Sequence, residues 1–242
     1  MVATRTVLYS ARLQETIRRV ETLTGREITI EKLENNPDLA DSAAQGFHRQ
    51  KGDLERIWLD NRLSPSAYEA TVAHELAHIV QRAQGFPRAV GSNGHYEFLA
   101  ERINNLVLDV HADRWALAEG FAVKEALAES ALPQLTAALQ NQPAHAELLS
   151  SKTLSQALAV DYAALKLRLD RFGLFAGLDR GMANRWPESW RAGRELWLEL
   201  KRYRFSSAAS CRRAMEKVLK FLGVPGDLIQ ISVVKSPHAS PD

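Results

Sequence analysis

The stretch from Thr71 to Val80 contains the residues with the clearest chemical potential in this chain of 242 residues. His74 and His78 are four positions apart, which on a helix places both imidazole rings on one face, one turn from each other. Two ring nitrogens placed in this way can take adjacent corners of a tetrahedral zinc site. Glu75 directly follows the first histidine, so its carboxylate points beside the metal, where a general base that activates water has to stand. The segment therefore predicts a zinc-binding, water-activating helix.

The residues around this motif are almost all uncharged. Apart from the two histidines, Glu75 is the only ionisable residue between Thr71 and Val80, and most of its neighbours are aliphatic. A helix that carries histidines and a glutamate among such residues is expected to be buried, and a buried carboxylate needs a partner or a metal ion. The alternative is an amphipathic helix whose histidines and glutamate only form hydrogen bonds within the core.

A third protein ligand is expected, because catalytic zinc sites usually take three and leave one position open. A histidine six residues after His78 would mark one large class of zinc enzymes, but Gln84 occupies that position. The remaining source is an acid on a second helix, which apolar residues at helical spacing predict over about 97–117. Asp109 and Asp113 lie on or beside its apolar face, one turn apart, so one could bind the metal while the other orients a ligand histidine.

Asp109 is our first choice for the third metal ligand, and Asp113 for the residue that orients a histidine. Glu101 is the reserve ligand. It ranks below Asp109 because it points away from the apolar stripe of the same helix. The alternative interpretation pairs the two aspartates with Arg102 or Arg114 at a solvated edge of the helix.

The two motifs together resemble the gluzincin metallopeptidases, and in particular soluble proteins built on the minimal core of the M48 family. The resemblance covers about residues 50–120 and rests on His74–His78, on Asp109, and on Asp113 followed by Arg114. It implies a zincin-like core, one zinc ion per chain and hydrolysis of peptide bonds. Asp109 stands where the family has its ligand glutamate, and Asp113 stands where the family has its aspartate. Asp109 is one methylene shorter, so the second helix has to approach the first more closely.

Two further side chains lie between the motifs, after the glycine-containing stretch 91–94. His95 or Tyr96 could stabilise the oxyanion, as a histidine or tyrosine often does in zinc peptidases, if this loop brought one of them over the metal. The alternative is that the loop only begins the next helix. Cys211, the single cysteine, is expected to be a buried residue without a chemical role.

The elements that hold these residues are predicted as a small mixed β-sheet packed on the two metal-ligand helices. Alternating apolar and polar residues predict a strand over 54–60, and Ser64 with Pro65 predict the start of the helix that carries the first motif. In the peptidases that this chain resembles, such a strand borders the cleft and pairs with extended substrate. Further upstream, an amphipathic helix is predicted over 11–23, and strands are predicted over 27–32 and 43–48.

From about residue 122 onward the sequence is overwhelmingly helical. The fold class is therefore predicted to be α+β, mostly α, with a zincin-like catalytic core over 1–122 and an all-α extension over 123–242. The expected seam in the extension is Asn141–Pro143. Two of the later helices are predicted over 187–203 and 207–221.

Charge in the helical half supports a second hypothesis. Residues 166–220 contain 14 Lys and Arg against 6 Asp and Glu, although the whole chain has a net charge of only +2. Basic residues interleaved with tryptophans can grip phosphates and stack on bases. The rival function is thus a non-catalytic or latent zinc protein whose basic half binds nucleic acid or a protein partner. The alternative for the tryptophans is a core stripe, with the arginines on its solvated face.

Composition limits the remaining classes. One cysteine cannot form a disulfide within the chain, which fits a reducing compartment. No run of about eighteen apolar residues is present, so no membrane span is expected. Because the N-terminus also lacks an apolar signal core, we expect a cytoplasmic protein that acts on a peptide or protein substrate.

Overall fold

The computed structural model describes residues 9–35, 46–60, 62–133 and 151–233. As predicted, the fold is α+β with a large helical majority, and it contains a three-stranded mixed sheet and a two-stranded sheet. The helices are α1 Ala11–Thr24, α2 Pro65–Ala83, α3 Gly94–Asn104, α4 Val110–Ala118, α5 Val123–Ala126, α6 Lys152–Leu169, α7 Ala176–Arg185, α8 Pro187–Leu200 and α9 Ala208–Leu222. The strands are β1 Glu27–Lys32, β2 Gly46–Lys51, β3 Leu54–Leu59, β4 Pro87–Gly91 and β5 Ile229–Val233.

β3 is the central strand of the larger sheet. It pairs with β1 in parallel on one side and with β2 in antiparallel fashion on the other. The prediction that residues 54–60 border the cleft and pair with substrate is therefore wrong, because both edges of that strand are already hydrogen-bonded. β2 is one of the two outer strands, and β1 is the other. β2 begins and ends three residues later than the strand predicted over 43–48, of which residues 43–45 lie outside the described part of the chain.

α2 begins where the sequence predicts it. The hydroxyl of Ser64 accepts a hydrogen bond from the backbone N–H of Ala67 at 3.4 Å, and Pro65 occupies the first helical position. α1, α4, α5 and the larger sheet all pack against this helix. Its aliphatic residues are consequently buried, including Val72, Leu76 and others in the motif segment, so the first motif lies inside the fold as expected.

The second predicted helix is interrupted by one unusual turn. The helical segment runs from Gly94 to Ala118, but residues Asn105–Asp109 form a π turn between α3 and α4. A π turn inserts one extra residue, so side chains on either side of it do not follow a regular spacing of 100° per residue. Because the insertion ends at Asp109, it determines the direction of that carboxylate.

Two apolar clusters form the core, and both contain residues from each side of position 122. Leu76 of α2 shares one cluster with Tyr162 of α6, and Leu106 shares the other with Met215 of α9. The helical half thus packs into the same cores as the first half, and the division at residue 122 stays a prediction. The predicted seam at Asn141–Pro143 lies outside the described residues.

The tryptophans of the basic segment 166–220 are buried or half-buried. Trp190 and Trp197 are half-buried and pack against the two core clusters. The indole N–H of Trp190 also donates to a carboxylate oxygen of Asp179 at 2.8 Å. Cys211 is fully buried, and burial raises the pKa of its thiol to about 12. Of the described helices, none has the length and apolar character that a membrane crossing requires.

Gly193 marks a close approach of α8 to α6. A Cβ atom at this position would lie 2.7 Å from the carbonyl oxygen of Ala159 and 2.8 Å from the side chain of Tyr162. We therefore expect Gly193→Ala to lower the free energy of unfolding by about 1–3 kcal/mol, because the two helices have to separate. Gly181→Ala on α7 is the matched control, since a Cβ there would meet no atom within 4 Å. The control should gain about 0.5–1 kcal/mol from helix propensity. Similar effects of the two variants in urea titrations would contradict the close packing.

Candidate metal centre

His74, His78 and Asp109 form a cluster whose potential ligand atoms all lie within 4.8 Å of one another, and no other such group occurs among the described residues. The Nε2 atoms of the two histidines are 3.1 Å apart, and Oδ1 of Asp109 lies 3.5 Å from Nε2 of His78. Two nitrogen ligands of a tetrahedral zinc ion are about 3.3 Å apart when each Zn–N bond is about 2.0–2.1 Å. The cluster therefore has the spacing that one small metal ion requires.

Hydrogen bonds fix which nitrogen of each histidine faces the cluster. The amide nitrogen of Gln81 donates to the carbonyl oxygen of Leu108 at 2.8 Å, so its Oε1 atom is the acceptor that faces Nδ1 of His78 at 2.9 Å. Nδ1 of His78 therefore carries a proton. Nδ1 of His74 donates in the same way to Oδ1 of Asp113, at 2.8 Å. Both rings thus turn Nε2, the nitrogen that these bonds leave free, toward the cluster, as metal-binding histidines do.

This arrangement favours a positive charge between the rings. The two Nε2 atoms face each other at 3.1 Å, and because two facing lone pairs would repel, a proton or a metal ion has to lie between them. Burial alone would lower the pKa of His78, but Asp109 and Glu75 outweigh burial and raise it. The protein therefore attracts a cation to the same point at which the three ligand atoms converge.

Arg168, on α6, holds both aspartates of the second motif. Its Nη1 donates to Oδ2 of Asp109 at 3.1 Å, and its Nε donates to Oδ2 of Asp113 at 2.7 Å. This leaves Oδ1 of Asp109 directed at the histidines, while Oδ1 of Asp113 accepts the hydrogen bond from His74. Burial would raise the pKa of Asp109 and of Asp113, but the guanidinium of Arg168 and the neighbouring histidines bring both below their usual values. Both aspartates are therefore ionised at neutral pH.

The charges of this cluster leave room for a divalent cation. Glu75, Asp109 and Asp113 are three carboxylates, and Arg168 is the only guanidinium within ion-pair distance of any of them in the described part of the chain. With neutral histidines the net charge is about −2, a balance that a divalent cation would bring to zero. The donor set of two imidazole nitrogens and one carboxylate oxygen is one that zinc accepts.

Glu75 is held by the outer strand β2. Its Oε2 accepts a hydrogen bond from Nδ1 of His48 at 2.9 Å. Burial would raise the pKa of Glu75, but His48 and the two cluster histidines lower it, while burial lowers the pKa of His48 and keeps it neutral. A Cβ atom on Gly46 would lie only 2.9 Å from Oε1 of Glu75, so the absence of a side chain there lets β2 approach the carboxylate. The potential base is thus ionised and fixed in direction.

Four side chains of this site were not assigned a role from the sequence. They are Arg168, His48, Gln81 and His111, the last of which accepts a hydrogen bond from Gln81 at 2.9 Å. Burial lowers the pKa of His111 to about 4, so it stays neutral. Only weak sequence signals mark them: Arg168 is a charge within an Ala- and Leu-rich helix, and Gln81 lies three residues after a ligand histidine. Their partners are distant in sequence, which single-sequence patterns do not reveal.

Three other residues that the sequence suggests for the site do not belong to the ligand group. Glu101 lines the cavity beside the cluster, but it is exposed and does not belong to the ligand group. His95 is exposed, Tyr96 packs against the second core cluster, and neither lines the cavity. Their proposed position over the metal is therefore not observed, because Asn93 caps α3 and the loop begins that helix.

The ion pairs expected at a solvated edge have different partners. Arg102 lies 3.9 Å from a carboxylate oxygen of Asp161. Arg114 donates to the backbone carbonyl groups of Tyr203 and Arg204. The alternative interpretation, in which these two arginines bind the aspartates of the second motif, is therefore wrong.

A cavity of about 820 Å³ opens beside the cluster. Residues of α2 and of β2 line it. Residues of α3, of the π turn and of α5 also line it, together with Arg168. The ligand atoms are therefore reachable from a space large enough for a segment of peptide.

Replacing Arg168 with methionine removes the guanidinium but keeps an unbranched side chain. Because partners of metal ligands typically contribute tenfold to hundredfold in metal affinity, we expect this variant to bind zinc about 10- to 100-fold more weakly. The lost positive charge acts in the opposite direction, since it makes the site more attractive to a cation. A competition titration with a chelator measures which effect is larger.

Arg180→Met, at an exposed position on α7, removes the same charge and should leave the zinc Kd unchanged. Thermal unfolding of the metal-free proteins checks that each variant is folded before zinc is added. Tighter or unchanged zinc binding by folded Arg168→Met would contradict a positioning role for the guanidinium.

No family model, curated protein or solved structure matches this chain at a significant level. The resemblance to the gluzincins rests on the two motifs alone, so the function has to be inferred from the geometry of the site.

Proposed function

We propose that this protein is a zinc-dependent metallopeptidase that uses Glu75 as its general base. The observation that carries the proposal is the position of Glu75. Its carboxylate is ionised, is fixed by His48, and lines the same cavity as the cluster of His74, His78 and Asp109. A residue that only filled the core would not need a buried negative charge at the edge of an open cavity.

Each residue has a defined task in this proposal. His74, His78 and Asp109 would hold the zinc ion, which when bound supplies a Lewis acid that activates water and polarises a peptide carbonyl. Glu75 accepts the proton of the attacking water and then delivers it to the nitrogen of the leaving amine. His48 keeps the carboxylate of Glu75 in place during both transfers. Arg168 is not available to the substrate in this arrangement, because both aspartates engage its guanidinium.

The outer strand β2 supports a peptide as the substrate. Residues Gly46 to Gln50 line the cavity, and the side of β2 that faces away from β3 pairs with no strand in the described residues. An extended peptide can add to such an edge through main-chain hydrogen bonds, which makes binding tolerant of sequence. This edge takes the role that the sequence analysis gave to residues 54–60.

The rival proposal is a non-catalytic zinc protein in which the metal only stabilises the fold. Structural zinc sites are closed by four protein ligands, whereas the group in the described residues has three and adjoins a cavity. The half-buried tryptophans of the basic half also do not support base stacking. Both observations favour the peptidase.

Glu75→Gln is the direct test of the base. The amide cannot accept a proton, but it leaves the ligand atoms in place, so we expect zinc content to stay at about one per chain while proteolysis is abolished. Cleavage of an unfolded protein such as casein by the zinc-loaded wild type is followed by mass spectrometry. If zinc-loaded Glu75→Gln still cleaves the protein, Glu75 is not the general base.

His48→Ala tests whether the strand positions the base. The variant should bind zinc as the wild type does, but its kcat should fall by about tenfold or more with a smaller change in KM, because proton transfer depends on the placement of Glu75. Lys51→Ala, on the same strand but outside the cavity lining, is the control and should keep full activity. An unchanged kcat in His48→Ala would exclude the positioning role.

A further inference from the structure

The lining of the cavity extends along α2. The residues of α2 that line it extend from Ala70 to Arg82, a distance of about 18 Å at about 1.5 Å per residue. β2 runs beside α2 in the same direction. Gly46 lies against Thr71 at one end, and Gln50 at the other end pairs with Glu55, the partner of Arg82. We call the two halves of this groove the apolar end, near Ala70, and the basic end, near Arg82.

The apolar end is lined by side chains without charge. Ala70 of α2 meets Val123, Ala126 and Leu127 of the α5 segment, which packs against α2. Each of these four side chains belongs to the first core cluster, although each also contributes to the cavity wall. A substrate side chain at this end would lie against these four apolar residues, so an aliphatic residue fits and a charged one would lose its hydration without compensation.

The basic end has the guanidinium groups of Arg82 and Arg88 on its wall, and Arg49, next to Gln50 on β2, also lines the cavity. Arg82 binds Glu55 at 2.6 Å, but Glu55 also binds Arg26 at 3.3 Å, so one carboxylate faces two guanidinium groups. Arg88, on β4, forms no ion pair with any carboxylate among the described residues. Arg88 lines the same cavity as Arg82 and Asp109; burial and the charge of Arg82 lower the pKa of Arg88, and Asp109 raises it.

An anion at this end would relieve the repulsion between the two arginines. Two further charged residues line this side, Arg49 of β2, next to Gln50, and Glu101. Both are exposed, and Glu101 makes no ion pair with Arg88 in the described part of the chain. From His78 to Arg82 the helix rises about 6 Å, which corresponds to about two residues of an extended peptide. A carboxylate bound here would lie within about two residues of the bond next to the metal.

We propose that Arg88 binds a carboxylate of the substrate and that the apolar end of the groove takes an aliphatic side chain. The preferred peptide then has an acidic group and an aliphatic group on opposite sides of the cleaved bond. This inference rests on the proposed peptidase function. The carboxylate belongs either to an aspartate or glutamate side chain or to the C-terminus of a short peptide, and the chemistry of recognition is the same for both.

The test uses a degenerate peptide library in two forms, with free and with amidated C-termini. Zinc-loaded wild type is incubated with each form, and the residues around the cleaved bonds are read by mass spectrometry. In parallel, immobilised zinc-loaded Glu75→Gln retains peptides without cleaving them, so binding is measured even without turnover. We expect acidic residues to be enriched about tenfold over lysine within two positions of the bond, with aliphatic residues on the other side.

Arg88→Glu should invert the preference from acidic to basic residues, and Arg88→Gln should abolish it. Arg213→Glu, exposed on α9 and outside the cavity, makes the same change in net charge and should leave the preference intact. Zinc content is measured for every variant. If enrichment occurs only among peptides with free C-termini and does not depend on acidic side chains, the subsite is supported. Its ligand is then the C-terminal carboxylate.

Two outcomes would overturn the inference, and they differ in what else they affect. If peptides are cleaved or retained with no charge preference, or with a preference that survives Arg88→Glu, the carboxylate subsite is excluded while the peptidase function stands. If the zinc-loaded protein neither cleaves nor retains any peptide, both the subsite and the proposed function fail.

Discussion

The balance of charge around Arg168 is the interaction on which the site depends. Three carboxylates lie at one partly buried position, and a single guanidinium offsets two of them directly. Without that guanidinium, Asp109 and Asp113 would repel each other one helical turn apart. Arg168 can reach them only because α6 packs along α3 and α8. The helical half of the chain is therefore part of the site, since it supplies the charge that keeps both aspartates ionised and aimed at the histidines.

The local features of the site could be predicted from the sequence. The spacing of His74 and His78 and the start of α2 at Ser64 are encoded within one segment, so helical periodicity and capping are sufficient. The structure brings Asp109 beside them, although a regular helical wheel does not describe its direction, because the π turn ends at this residue. The π turn also offers a reason why a residue one methylene shorter than glutamate still reaches the cluster.

The long-range features could not be predicted. Arg168 and His48 acquire their roles through contacts with residues 27 to 59 positions away, and no local pattern encodes such contacts. The order of the strands is a similar case. Alternation identified β3 as a strand, but whether a strand is central or outer depends on its partners, and the second sheet joins segments from distant parts of the chain. The cleft wall was therefore assigned to the wrong strand.

We propose that two histidines and an aspartate bind one zinc ion and leave it open to water. X-ray absorption at the zinc K-edge of the loaded protein would reveal these ligands. We expect about one zinc per chain, with a first shell of two imidazole nitrogens and about two oxygens at about 2.0–2.1 Å, and loss of one oxygen ligand in Asp109→Ala. A protein that binds no zinc, or a shell of oxygen atoms without imidazole scattering, would exclude this ligand set.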